Sequence, residues 1–238
     1  MTNESWKAIW SGKSSEPPES PAADGEAIVA ALLTLDGYHT PTATVAAATW
    51  IAHVQGLARA RRLTAGERLF EVGCGAGAFL WPLAQLGVVT DGIDYSASLV
   101  AVARRHFPTA RIQIGEAADI DTGERYDVVV SNAVFPYFPD AEYARTVTSK
   151  MLDKCMREVW ILDVNDAARK DEALAIRRAS YPPGEYDRRY AGLEQLYLEQ
   201  DWFRDIARAR GLDCTIESQP LPDYVSARYR FNVYFARP

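Results

Sequence analysis

Long apolar runs are missing from this sequence, and no stretch reaches the ~18–20 residues that a helix needs to cross a bilayer. The start, Met1-Thr-Asn-Glu-Ser-Trp6, lacks the positive charge and apolar core of a secretory signal. Cysteine is scarce: Cys74, Cys155 and Cys214 are odd in number and widely spaced, which fits neither a disulfide framework nor a zinc site. Cys74 has no basic neighbour in sequence to lower its pKa and reads as a small turn residue. Basic charge is short as well, with 26 Lys and Arg against 32 Asp and Glu, a net charge of −6, and no basic arm. A phosphate backbone calls for a basic face, so nucleic acid is disfavoured as a partner. These absences predict a cytoplasmic protein without membrane or metal, as a monomer or homodimer.

What is present, 238 residues of which 48% are hydrophobic and 24% charged, predicts a soluble globular unit with a cap or insertion. Its centre is Arg68-Leu-Phe-Glu-Val-Gly-Cys-Gly-Ala-Gly-Ala-Phe79, an apolar run that breaks into alternate glycines. The pattern reads as a strand, a tight turn and the start of a helix over 77–86. Gly73, Gly75 and Ala78 satisfy the G-x-G-x-x-G/A dinucleotide pattern, in which a pyrophosphate sits on the helix end. Glu71, Gly73, Gly75 and Gly77 equally resemble the E-x-G-x-G-x-G turn of class I S-adenosylmethionine-dependent methyltransferases. The glycines alone leave both readings open.

Ahead of the turn, Trp6 and Trp10 share one helical face, followed by the Ser/Pro/Glu-rich stretch 14–21, which reads as flexible. This segment is read as a lid over the site or as a strap fixed to the core. Glu26–Leu35 and Thr42–Leu63 read as helices around the loop Asp36–Pro41. Residues 1–64 are thus a lid with cap helices, and 65–238 the core. From residue 68, strands alternate with helices, the signature of a parallel sheet covered on both faces. Strands are expected at 69–72, 88–93, 111–114, 126–130 and 159–164, and helices at 96–106 and 140–156. A helical insertion at about 165–205 follows, with helices at 166–179 and 192–210, and Gly211 ends the second. Two final strands, 214–219 and 228–235, complete the chain.

That last strand pair, after a fifth parallel strand, resembles the seven-stranded, mostly parallel Rossmann-like methyltransferase sheet and departs from a dinucleotide fold. Short segments, Leu35-Asp-Gly-Tyr38, Ser131-Asn-Ala-Val-Phe-Pro-Tyr-Phe138 and Trp160-Ile-Leu-Asp163, resemble stand-alone bacterial methyltransferases of specialised metabolism, which commonly methylate a hydroxyl of a small molecule. The implied cofactor is S-adenosyl-L-methionine, leaving as S-adenosyl-L-homocysteine. Asp94, twenty-one residues after Gly73, closes the second strand, where a carboxylate accepts both ribose hydroxyls. Tyr95 offers a ring to adenine. By resemblance Glu116, with Asp119 as the alternative acid, meets the adenine amino group and the Ala117 N–H the ring, while backbone around Asn132 holds the methionyl part. Phe135, Tyr137 and Phe138 would wall the methyl-transfer face.

Only three histidines are available as a base. His39, in the loop between the cap helices, is the candidate, with Tyr137 as a second group that orients the acceptor. His53 reads as a boundary residue, and His106 as a cation at a helix end. The insertion should set acceptor choice. Its Tyr181, Tyr186, Tyr190 and Tyr197, with Arg177, Arg178, Arg188 and Arg189, suit a flat or anionic acceptor, but the acids among them favour a solvated, salt-bridged face. Two alternatives to catalysis of methyl transfer stand beside this reading: a non-catalytic S-adenosylmethionine-binding protein and an NAD-dependent oxidoreductase.

Overall fold

The computed structural model describes residues 4–12 and 24–238; the Ser/Pro/Glu-rich stretch 14–21 lies outside the described residues. In chain order the elements are α1 (Glu4–Ser11), α2 (Gly25–Leu35), α3 (Ala47–Ala60), β1 (Arg68–Val72), α4 (Leu80–Ala84), β2 (Val89–Asp94), α5 (Ala97–His106) and β3 (Ile112–Ile114). There follow β4 (Tyr126–Asn132), α6 (Ala141–Lys154), β5 (Cys155–Asn165), α7 (Lys170–Ala179), α8 (Glu185–Arg189), α9 (Gln200–Arg210), β6 (Asp213–Ser218) and β7 (Arg230–Ala236). The sheet runs β3-β2-β1-β4-β5-β7-β6. Its first five strands in sequence pair in parallel, and β7 lies antiparallel between β5 and β6.

Burial on both faces explains why the inner strands are nearly continuous apolar runs. Leu69, Val128, Val130, Trp160 and Leu162 share one core with α2, α3 and α5 through Leu32, Trp50, Val54 and Val100. Phe70, Val72, Val129, Val159 and Ile161 point into the opposite core, filled by Val147 and Met151 of α6 and by Phe203 and Ile206 of α9. Side chains two apart on a strand share a face, so each strand feeds both cores. Helix starts are capped where the sequence has the residues for it: Asp24 accepts from Ala27 N at 2.8 Å, and Asp140 from Tyr143 N at 2.8 Å.

Three helices differ from expectation. The helix after the glycine turn covers only Leu80–Ala84, because positive φ angles at Gly73, Gly75 and Gly77 prolong the turn. The second cap helix begins at Ala47 rather than at Thr42. Residues 192–199 are not helical: Leu196 N bonds Pro136 O at 2.8 Å, Leu198 N bonds Asn165 O at 3.1 Å, and Leu198 bridges Asp166 in parallel. Tertiary backbone partners there outbid a local helix.

The chain builds β1, β2 and β3 outward on one side and then crosses to β4 on the other. This puts the topological switch at the β1/β4 boundary, and the crevice beyond the carboxyl ends of those strands. The α9 face depends on Phe203, which is fully buried against Phe231 and Phe235, with ring centroids at 5.7 and 6.4 Å. Phe203→Ala is expected to cost about 3–5 kcal/mol in urea unfolding; a loss under ~1 kcal/mol would mean that α9 is not seated on the sheet in solution.

Candidate active site

Beyond Val72 the chain turns at Gly73 and is clasped by two carboxylates. Asp94, at the end of β2, accepts from Gly75 N at 2.9 Å and from Ser96 N at 2.8 Å. Asp36, at the end of α2, accepts from Ala76 N at 2.6 Å and from Ala78 N at 3.0 Å. Gly75 has φ +53°, and a Cβ there would run into Asp36 Oδ1. Trp50 of α3 adds an Nε1–H bond to Ala78 O at 2.8 Å. Asp36 therefore occupies the backbone donors on which a pyrophosphate would sit, and its charge would repel one.

Glu71, on β1 beneath the turn, is 2% exposed, and its Oε2 is buried without a hydrogen-bond partner. Burial pushes its pKa well above the ordinary value, and the charges of Asp36 and Asp94 push it further. Burial also raises Asp94, against the opposing pull of the Ser96 and Gly75 N–H groups. Three acids thus converge on one turn, and burial disfavours charge on at least two of them.

A cavity of about 1100 Å³, open mouth included, lies over this turn. Glu71, Gly73, Gly75, Asp94, Tyr95, Glu116, Ala117, Asn132 and Tyr137 all line it. Three expected residues do not. Gly77 packs away from the cavity, since a Cβ there would meet the Phe107 ring. His39 is exposed, with Nδ1 3.0 Å from Thr34 O, and is not part of the lining. Phe135 is likewise not in the wall: it is buried in the α6/α9 core, against Phe138 at 4.8 Å and Phe203 at 6.3 Å. Burial lowers the pKa of His106, and Arg105 lowers it further, so the cation expected at that helix end is disfavoured.

The cavity also holds residues that the sequence reading missed: Asp36, Tyr38, Trp50, Tyr224 and Arg230. Tyr38 packs against Trp50 with tilted rings, centroids 4.7 Å apart, and its hydroxyl accepts from Asn132 Nδ2 at 3.1 Å. Arg230 of β7 pairs with Asp163 at the end of β5; both are buried. Tyr224 donates to Asp163 at 2.8 Å and Gln219 donates to it at 3.1 Å. Removing one member of such a pair strands a buried charge. Leu35-Asp-Gly-Tyr38 was a legible signal for the first of these residues, whereas β7 carried none.

Helix α1 lies across the mouth. Trp6 and Trp10 meet the Tyr137 ring edge-on at 4.9 and 5.3 Å, Lys7 pairs with Glu116 at 2.7 Å, and Ser96 Oγ bonds Trp10 O at 3.1 Å. Burial holds the Tyr137 pKa above its ordinary value, so the phenol stays protonated at neutral pH.

Two substitutions separate roles within the turn. Gly77→Ala is expected to lower stability by about 1–3 kcal/mol, through its φ of +98° and the Phe107 clash, a loss read by thermal unfolding. Because the folded pKa of Glu71 is raised, its contribution to stability is greatest below the ordinary value of 4.5 and is lost as pH climbs through the folded value. Glu71→Gln should therefore stabilise the ligand-free protein at pH 7 by on the order of 1–3 kcal/mol, with the gain vanishing below that ordinary value. A gain that persisted into acid would disprove the buried, protonated carboxyl.

Residues 70–159 match the model of a family described as a methyltransferase domain. A segment of 102 residues is 33% identical to the ubiquinone biosynthesis O-methyltransferase of Nitrobacter winogradskyi, covering 41% of this chain and 36% of that protein. The protein of the same name from Azorhizobium caulinodans is 30% identical over 129 residues, covering 52% of this chain and 50% of its own length. The chain thus spans between about a third and a half of the length of these curated relatives. Magnesium protoporphyrin IX methyltransferase from Synechocystis PCC 6803, solved with bound SAH, is similar with a TM-score of 0.61 at 16% identity, over 99% of this chain and 94% of that one. A TehB-like SAM-dependent methyltransferase from Corynebacterium glutamicum has a TM-score of 0.55 at 15% identity, over 79% and 88% of the two chains. At these identities the structural likeness speaks for the fold, and the domain match speaks for the glycine turn and the strands around it. The order β3-β2-β1-β4-β5-β7-β6 with an antiparallel β7 is thus a fold shared with solved methyltransferases, and the E-x-G-x-G-x-G turn lies inside the residues 70–159 that match the methyltransferase domain.

Proposed function

We propose that this chain transfers a methyl group from S-adenosylmethionine to a hydroxyl oxygen of a small-molecule acceptor. The observation that carries the reading is the acid-lined glycine turn, where Asp36, Glu71 and Asp94 converge and Asp36 already holds the N–H groups of Ala76 and Ala78. Such a turn suits a ligand that bears a sulfonium and an ammonium, and opposes a pyrophosphate, which weighs against the NAD alternative. The unpartnered Oε2 of Glu71 is an acceptor in need of a donor. The names of the curated relatives support oxygen as the acceptor atom.

When bound, the cofactor supplies an electrophilic methyl group on sulfur. Asp94 retains lone pairs for the ribose hydroxyls beyond its two backbone bonds, Tyr95 flanks the adenine, and Glu116 and Ala117 meet its edge. Tyr137, protonated and held between Trp6 and Trp10, orients the acceptor hydroxyl. No histidine lines the cavity among the described residues, so alignment and exclusion of water carry the rate, a contribution on the order of 7–11 kcal/mol. The acceptor's proton passes to solvent. In this reading residues 1–64 serve as lid and cap to the core at 65–238, although α2 and α3 share a hydrophobic core with the sheet.

Calorimetry with S-adenosylmethionine, S-adenosylhomocysteine and NAD is expected to give binding of the first two alone; NAD binding would sink the reading. Asp94→Ala should weaken the cofactor by about 10–100-fold with the fold retained, as loss of a charged hydrogen bond implies. His39→Ala should keep turnover within about threefold of the parent in a release assay for S-adenosylhomocysteine, whereas a fall of about a hundredfold would restore it as the base. Cofactor binding with no release on any phenolic or alcoholic acceptor would leave a binding module.

A further inference from the structure

A second concavity lies in the insertion after β5, lined by Lys170, Arg177, Arg178, Tyr186, Tyr190 and Tyr197 together with Asp187 and Glu194. Its charges do not cancel. Arg178 is exposed and bonds Asp187 at 3.0 Å, so that pair is the solvated salt bridge that the sequence predicts. Arg177 is different: it is 7% exposed, and its one hydrogen bond among the described residues runs from Nε to the Tyr229 hydroxyl at 3.3 Å. It forms no salt bridge among the described residues, although a guanidinium has five N–H donors to satisfy. Among the described residues the Tyr229 ring, 5.5 Å from its Cζ, and tyrosine oxygens face this cation, so a carboxylate would find donors there that no acid among them already occupies. The Tyr197 hydroxyl, in the same lining, is also buried without a partner. Lys170 adds a second positive charge, 5.6 Å from the Tyr197 ring, and the Tyr186 and Tyr190 rings lie 4.8 Å apart.

This concavity adjoins the cofactor cavity. Trp6, whose ring meets Tyr137, donates Nε1–H to Glu194 O at 2.9 Å, and Leu196 N is bonded to Pro136 O at 2.8 Å. Arg177 and the cavity-lining Arg230 both approach Tyr229. Trp6 thus touches Tyr137 of the first lining and the backbone of Glu194 of the second.

We propose that this pocket binds the acidic end of an aromatic acceptor, with Arg177 and Tyr197 meeting a carboxylate, the Tyr186/Tyr190 pair flanking the ring, and the hydroxyl to be methylated directed past Tyr137 toward the cofactor. The proposal rests on the methyl-transfer reading and names its substrate class. Arg177 is then the residue that selects for charge. Guanidinium and carboxylate form paired, charge-assisted bonds that an ester cannot accept equally well.

The test uses the full chain saturated with S-adenosylhomocysteine and titrated calorimetrically with 4-hydroxyphenylacetate and 4-hydroxycinnamate, which separate phenol and carboxylate by different lengths, and with their methyl esters. At least one acid is expected to bind about tenfold or more tightly than its ester. Arg177→Gln should abolish that preference, Arg177→Lys should keep part of it, and Tyr197→Phe should reduce it about threefold, all with unchanged affinity for S-adenosylhomocysteine. A merely structural arginine would alter stability without altering the preference for acid over ester. Equal binding of acids and esters by the parent protein, or no binding of either, overturns the proposal, and so does a preference that survives in Arg177→Gln. Should Arg177→Gln fail to fold, the parent's preference and the Arg177→Lys and Tyr197→Phe series still decide. Failure to bind S-adenosylhomocysteine is a separate result: it removes the methyl-transfer reading and this proposal with it.

Discussion

The backbone N–H groups of Gly75, Ala76 and Ala78 are bonded by two carboxylates that reach them from different parts of the chain, Asp94 from β2 and Asp36 from the end of α2. A glycine turn leaves backbone donors unpaired, and in a buried crevice each must find an acceptor. Here side chains supply the acceptors. This sets the path of the turn, anchors α2 beside the sheet, and brings Tyr38, two residues beyond Asp36, into the cavity lining. It also fixes the sign of the site, since acids placed on those donors exclude a second anion.

Burial then amplifies the effect of each charge. Glu71 sits beneath the clasp with one oxygen unpartnered and the protonated form favoured. The pair Asp163 and Arg230 follows the opposite design. It is buried too, but Tyr224, Gln219 and Asn165 complete its hydrogen bonds, so it holds β7 against β5 as a closed unit. Asp163 takes φ +64° to do so, a conformation that a non-glycine residue keeps only where its surroundings over-determine it.

Tyr137 also lines the cavity, and its ring meets the Trp6 and Trp10 indoles edge-on. Helix α1 supplies both indoles. Through Trp6 the same helix also reaches the insertion, donating to Glu194 O at 2.9 Å.

Local chemistry made much of this legible in advance. The alternation of strand and helix, the final strand pair and the glycine turn follow from hydrophobic period and from residues with special backbone freedom, which act over a few neighbours. The acids at strand ends follow as well, because in a parallel sheet those ends converge by topology. The sequence by itself therefore determined the sheet and the crevice, and most of the residues singled out for the cofactor do line that crevice. What only tertiary structure decided depends on partners far apart in the chain. Asp36 reads as a helix stop until the turn forty residues later offers it N–H groups. Arg230 and Tyr224 carry no motif, and they enter the cavity only because β7 runs antiparallel beside β5. Residues 192–199 have the composition of a helix but spend their backbone groups on Pro136 and Asn165. His39 stands in a loop of suitable chemistry, yet the fold leaves it exposed, because the clasp at Asp36 turns Asp36 and Tyr38 inward while His39 faces solvent.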